Sequence, residues 1–127
     1  MSRAVLIDTS VWVAHFRQRS EHLVGLLLAN AALTHPLIWG ELACGTPPER
    51  TQTLGDIRLL EPAQQASLAE VLAWVEKERL YGLGCGLIDL TLLASVRLTP
   101  GAQLWTLDRR LATLAERYGV AHQPAQH

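Results

Sequence analysis

Ala4-Val5-Leu6-Ile7-Asp8-Thr9-Ser10-Val11-Trp12 is the stretch from which the fold can be read. A short, continuous apolar run with β-branched members, closed by Asp-Thr-Ser, predicts a strand buried on both faces, then a turn rich in helix-capping residues. Residues 11–16 follow as the first turns of a helix. The same order returns near the other end of the chain. Residues 102–107 predict a strand, and 108–118 a helix opened by Asp108. Between the two units, residues 87–98 read as a helix apolar on nearly all sides, hence central. Strands alternating with helices imply a parallel sheet covered on both faces. Ligands of such sheets bind beyond the carboxyl ends of the strands.

Working outward, helical spacing predicts further helices over 21–30, 36–44, 49–55 and 63–79. Pro36 suits a first helical turn and Gly45 a helix stop. Short strands are expected over 31–34 and 57–60, with 119–121 a candidate last strand. Gly82, Gly84 and Gly86 mark a loop; no strand precedes it and the GxGxxG spacing of a dinucleotide site is missing. The expectation is one α/β domain over residues 1–127, built on a central parallel sheet of four or five strands flanked by helices. A polar tail, mobile from about residue 122, completes it.

Composition narrows the function. The chain has 127 residues, enough to bury a core without disulfides. The formal net charge of −1 excludes a binder that holds nucleic acid by bulk positive charge. Ten of the eleven basic residues are Arg, with Lys77 the one lysine; Arg suits forked contact with phosphate, and a compositional bias explains the same count. No apolar run approaches the roughly 20 residues of a membrane span. The opening residues lack a secretory signal, so the cytoplasm is the expected compartment. Cys44 and Cys85 have no metal-ligand spacing and read as small buried apolar residues. The five histidines lie at no ligand spacing and read as structural or surface groups.

Four carboxylates stand where apolar neighbours make them costly. Asp8 and Asp108 each follow a predicted strand, at the carboxyl end of the sheet; helix capping is the competing reading for both. Glu41 lies on the stripe of Leu37 and Ile38, expected to face the core unless it marks the stripe's edge. Asp89 interrupts the apolar start of the central helix, where the helix dipole also favours it. Brought together, such acids cannot all stay ionised without help. A hard divalent cation, Mg²⁺ or Mn²⁺, is the simplest help for an all-oxygen donor set.

Asp8-Thr9-Ser10-Val11-Trp12 after a Val-Leu-Ile strand resembles the opening motif of the PIN-domain nucleases. Leu37-Ile38-Trp39-Gly40-Glu41-Leu42, Leu87-Ile88-Asp89-Leu90 and Leu104-Trp105-Thr106-Leu107-Asp108 are similar to the family's second, third and fourth acidic segments, in order over essentially the whole chain. The length and the opening motif are similar to the VapC branch, the toxins of bacterial toxin–antitoxin pairs. The resemblance implies a PIN-like three-layer fold and Mg²⁺- or Mn²⁺-dependent RNA cleavage, with Asp8, Glu41, Asp89 and Asp108 as catalytic, metal-holding acids. It also implies a homodimer and inhibition by a cognate antitoxin protein. Thr9, Ser10 and Thr106 are candidates to hydrogen-bond the carboxylates, Thr106 sharing a face with Asp108 if the strand persists that far. Arg109 and Arg110 are candidates to hold RNA phosphate, against a solvated surface role that includes pairing with Glu116. Trp12 and Trp39 read as core packing before base stacking.

Rival classes fit less well. A haloacid-dehalogenase-type phosphatase would place a second aspartate where Ser10 stands. A receiver-type signalling domain needs a lysine after a late strand, and Lys77 falls inside a predicted helix. The remaining alternative is a PIN-like module that binds RNA or protein without cutting.

Overall fold

The computed structural model describes residues 4–124. Its centre is β1 (Val5–Ile7), in which all three side chains are buried. β1 pairs in parallel with β2 (Ala32–Thr34) on one side and β4 (Gln103–Trp105) on the other, and β3 (Glu61–Pro62) extends the sheet beyond β2. The order is therefore β3-β2-β1-β4. A strand with neighbours on both edges and helices on its faces has no polar role to fill, which accounts for the unbroken Val-Leu-Ile run.

The described residues form seven helices: α1 (Thr9–Arg17), α2 (Glu21–Leu28), α3 (Pro36–Ala43), α4 (Arg50–Arg58), α5 (Leu68–Glu78), α6 (Leu87–Leu98) and α7 (Arg109–Arg117). They flank the sheet in an α/β three-layer arrangement. α6 is the central helix: Leu90, Thr91, Leu92, Leu93, Ser95 and Val96 are all buried. No helix among the described residues is long and apolar enough to cross a membrane.

The buried hydroxyl of Ser95 ties three segments together. It donates to Thr91 O (2.7 Å) on its own helix and accepts from Ala66 N (3.1 Å) ahead of α5. It also meets His35 Nε2 (3.1 Å) at the start of α3. His35 Nδ1 accepts from Leu37 N (3.0 Å), so the ring proton sits on Nε2 and is donated to Ser95. This network fixes α3 and α6, the helices that carry Glu41 and Asp89, relative to one another.

Four sequence expectations need correcting. The strand expected at 57–60 is the end of α4 and a turn; Ile57 is buried as part of that helix. The true edge strand, Glu61–Pro62, has two exposed side chains, so no apolar pattern announces it. The helix expected over 63–79 begins at Leu68, where Ser67 Oγ accepts from Glu70 N and Glu70 returns a carboxylate oxygen to Ser67 N. Ala63 and Ala66 are buried in extended chain, so their burial does not signal helix. Residues 119–121 contribute a single parallel bridge, Ala121 to Leu104, rather than a strand. Finally, Cys44 is exposed and Cys85 half-buried, both as free thiols. Of the tail expected to be mobile, 125–127 lie outside the described residues; His122 N donates to Leu104 O (2.9 Å).

Because β2 and β4 lie on opposite sides of β1, the chain order reverses at the β1/β4 pair. A crevice opens beyond the carboxyl ends of strands at such a reversal. Asp8 is the next residue after β1, and Thr106 the next after β4.

Candidate active site

Asp8 and Asp108 occupy the same local position, the residue before a helix, yet their side chains behave differently. Asp108 caps α7: its Oδ1 accepts from Arg110 N (2.9 Å) and Leu111 N (3.0 Å). Asp8 makes no capping bond to α1. Its Oδ2 accepts instead from Ser10 Oγ (2.6 Å) and Thr106 Oγ1 (2.8 Å). The residue is 6% exposed, a buried carboxylate held by two hydroxyls. Each hydroxyl spends its one proton on Asp8 and accepts a backbone N–H in return. Ser10 Oγ takes Leu107 N (3.0 Å), and Thr106 Oγ1 takes Asp108 N (3.0 Å). The turn after β4 is thereby locked onto the start of α1.

Glu41 is exposed, while its neighbours Ile38 and Leu42 on α3 are buried. Glu41 therefore stands at the edge of the apolar stripe and does not face the core as its spacing from Leu37 and Ile38 predicts. It is anchored from α1, where Thr9 Oγ1 donates to Glu41 Oε2 (2.9 Å). Beside it runs a groove of about 370 Å³, lined by Thr9, Val13, Phe16, Arg17 and Pro47 among others.

Asp89 is half-buried in the first turn of α6, and its Oδ2 accepts from Gly86 N (3.3 Å). Burial raises its pKa above the ordinary carboxylate range; the Gly86 bond opposes this, and the charges of Asp8, Asp108 and Glu41 add to it. Asp89 thus feels all three of the other acids, from β1, α3 and the turn after β4. Sixty-odd residues of intervening chain separate some of these groups, and the sheet reversal brings them to one crevice.

The donor set is wholly oxygen, which suits Mg²⁺ or Mn²⁺ rather than zinc. The acids are near but not in contact: among the described residues, no three His, Cys, Asp or Glu side chains form a ready-made metal-ligand group.

The sequence pattern of the PIN domain family matches residues 5–117. The chain belongs to the PIN domain family. Ribonuclease VapC32 of Mycobacterium tuberculosis, in strains CDC 1551 / Oshkosh and ATCC 25618 / H37Rv, is 42% identical over 117 residues, covering 92% of this chain and 94% of the relative. The crystal structure of PAE2754 from Pyrobaculum aerophilum superposes with a TM-score of 0.56 at 19% identity, covering 91% of this chain and 88% of that one. The second likeness is one of fold.

Other features of this PIN domain sort by contact. Trp12 is buried, as core packing requires. Trp39 carries the Arg58 guanidinium over its ring at 4.5 Å, so that face is covered. Arg109 and Arg110 are exposed at the start of α7. Glu116 does not pair with either; its carboxylate accepts from Gln123 Nε2 (2.7 Å). One cluster escapes sequence reading: His22 and His122, 100 positions apart, meet at 2.8 Å between Nε2 atoms, beside Trp105. No linear spacing could have announced it.

Proposed function

We propose that this PIN domain is a Mg²⁺- or Mn²⁺-dependent endoribonuclease, the toxin of a bacterial VapBC-type toxin–antitoxin pair. The observation that carries the reading is the approach of Asp8, Glu41 and Asp108 to Asp89 at the reversal point of the sheet, where burial first, and then those three charges, pushes the Asp89 carboxyl up. Identity to a named ribonuclease along nearly the whole chain supports the same reading.

Asp8, Glu41, Asp89 and Asp108 would hold the metal. When bound, it supplies a water of lowered pKa and positive charge for the phosphodiester. The chain's own residues supply placement. Ser10 and Thr106 keep Asp8 in one rotamer, Thr9 does the same for Glu41, and Asp108 is fixed by capping α7. Fixed acids need little reorganisation as charge develops on the phosphate. Arg109 and Arg110, exposed at the start of α7 beside Asp108, would meet RNA phosphate as forked donors. Hydrolysis then needs no protein nucleophile: the water oxygen bonds to phosphorus, the bond from phosphorus to the leaving ribose oxygen breaks, and the proton lost by the water is balanced by the one the leaving oxygen gains.

The reading brings with it an RNA substrate, a cognate antitoxin, a homodimer and a cytoplasmic location. Leu68 and Leu72 of α5, and Leu87 and Ile88 of α6, are exposed and supply apolar surface for protein contact. The test is cleavage of total bacterial RNA with Mg²⁺ or Mn²⁺ by wild type and Asp8→Asn, alongside induction of both in bacteria. Wild type should cut RNA and arrest growth; Asp8→Asn should do neither while melting normally. Growth arrest that survives Asp8→Asn would point instead to a binding module that does not cut.

A further inference from the structure

Gly84 lies in the loop ahead of α6 with φ +87°, a left-handed conformation that side chains disfavour. Space adds a second demand. A Cβ at Gly84 would fall 2.8 Å from both Nε and Nη1 of Arg110, and closer still to its Cδ. Real carbon atoms do not approach so near, so the Arg110 side chain lies directly on bare backbone. The neighbouring Gly82 has the same left-handed backbone (φ +74°) and open space where its Cβ would be. Only one of the two glycines is shaped around another residue.

The guanidinium seated there is uncommitted. Among the described residues the single ion pair joins Arg19 to Glu21, and Arg110 enters no side-chain hydrogen bond. Its surroundings are nevertheless those of the acid crevice. Cys85, next to Gly84, is close enough to Asp89, Asp108 and Arg110 to feel all three charges. An unpaired, forked cation held at the rim of an acidic crevice is a phosphate receptor in waiting.

We propose that Gly84 is a positioning residue: by lacking a side chain it seats the Arg110 guanidinium on the loop ahead of α6, where it takes an RNA phosphate at the rim of the acid cluster. This rests on the ribonuclease reading for the identity of the ligand. The coupling between Gly84 and Arg110 rests on geometry alone.

The test is a double-mutant cycle on RNA binding. The probe is a labelled random-sequence 20-nucleotide RNA, and every protein carries Asp8→Asn so that the probe stays whole. Arg110→Ala should weaken binding about tenfold, the worth of one charge-assisted contact. It should also lower the slope of log affinity against log salt by about 0.7. Gly84→Ala should weaken binding severalfold by displacing Arg110, yet cost nothing further once Arg110 is Ala. Gly82→Ala carries the same backbone strain without the clash and should bind as the parent does. Thermal melts of each variant separate binding from folding. Equal losses from Gly84→Ala with and without Arg110 would overturn the proposal, as would a Gly82→Ala loss matching that of Gly84→Ala. Normal binding by Arg110→Ala would overturn it too. No binding by the parent would sink the ribonuclease reading along with it, whereas a parent that binds beside unaffected variants sinks this inference alone.

Discussion

The Thr106 hydroxyl donates to Asp8 Oδ2 at 2.8 Å across 98 positions of sequence, and it simultaneously accepts Asp108 N. One hydroxyl therefore joins the ends of the two central strands and orients the most buried acid of the crevice. Thr106→Val keeps the shape and removes both bonds. It should lower RNA cleavage about 10- to 100-fold, the usual cost of losing a partner that orients a metal-holding group. Stability should fall by about 1–2 kcal/mol, because Asp108 N loses its acceptor. Ser10→Ala should act in the same direction. Single-turnover cleavage beside a thermal melt measures both effects, and full activity in Thr106→Val would remove the orienting role.

Burial first, and then the charges of Asp8, Asp108 and Glu41, disfavours the charged form of Asp89. Asp89→Asn removes that repulsion while keeping the size of the side chain. Without divalent metal, the variant should melt higher than wild type, by about 2 °C. With millimolar Mg²⁺ or Mn²⁺ the order should reverse, because a ligand that binds only the folded state raises wild-type stability by mass action. Melts with and without metal check this; a wild type indifferent to both ions would argue against metal at these acids.

Much of this arrangement was legible from sequence, for physical reasons that also mark where legibility ends. β1 announces itself because burial on both faces demands an unbroken apolar run, and α6 because a central helix is apolar nearly all round. β3 is silent: Glu61 and Pro62 join the sheet through backbone pairing, with both side chains in solvent. The start of α5 was legible, but in Ser67-x-x-Glu70 rather than in the apolar stripe, which runs on through Ala63 and Ala66 in extended chain. The four acids could be picked out as charges beside apolar neighbours, although Glu41 was singled out by a burial it does not have. The Thr9–Glu41 bond and the Gly84 seat have no linear signature, because each depends on two elements meeting only after the sheet has formed.

Acid should loosen the fold through its histidines. Burial lowers the pKa of His35 and His122 below the ordinary 6.5, with His22 adding to the shift at His122. Burial, then Arg19, lowers that of His15. A depressed folded pKa means that the unfolded chain binds protons first. The stabilisation is complete above pH 6.5 and is lost as pH falls from there toward the folded values. At His35 the added proton would land on Nδ1 and break its bond to Leu37 N. The melting temperature should therefore drop between pH 7.5 and 5.5, and His35→Gln, less stable throughout, should show a shallower drop. A flat profile for wild type would contradict the neutral, buried ring.

Asp108 has two roles to separate, and two substitutions separate them. As a cap, its Oδ1 serves Arg110 N and Leu111 N, which an asparagine oxygen can also do. Asp108→Asn should leave the melting temperature within about 1 °C of wild type, while Asp108→Ala should cost about 1 kcal/mol, or roughly 3–5 °C. Under the proposed ribonuclease reading Asp108 also acts through its charge, which both variants lack. Cleavage should fall at least about tenfold in both, since one removed charge-assisted contact is worth that much. Asp108→Asn that melts normally and cuts normally would leave this residue a helix cap and reduce the acid set to Asp8, Glu41 and Asp89. Asp108→Asn that melts normally and fails to cut would show that the charge matters apart from the cap, because the helix it caps would still be intact.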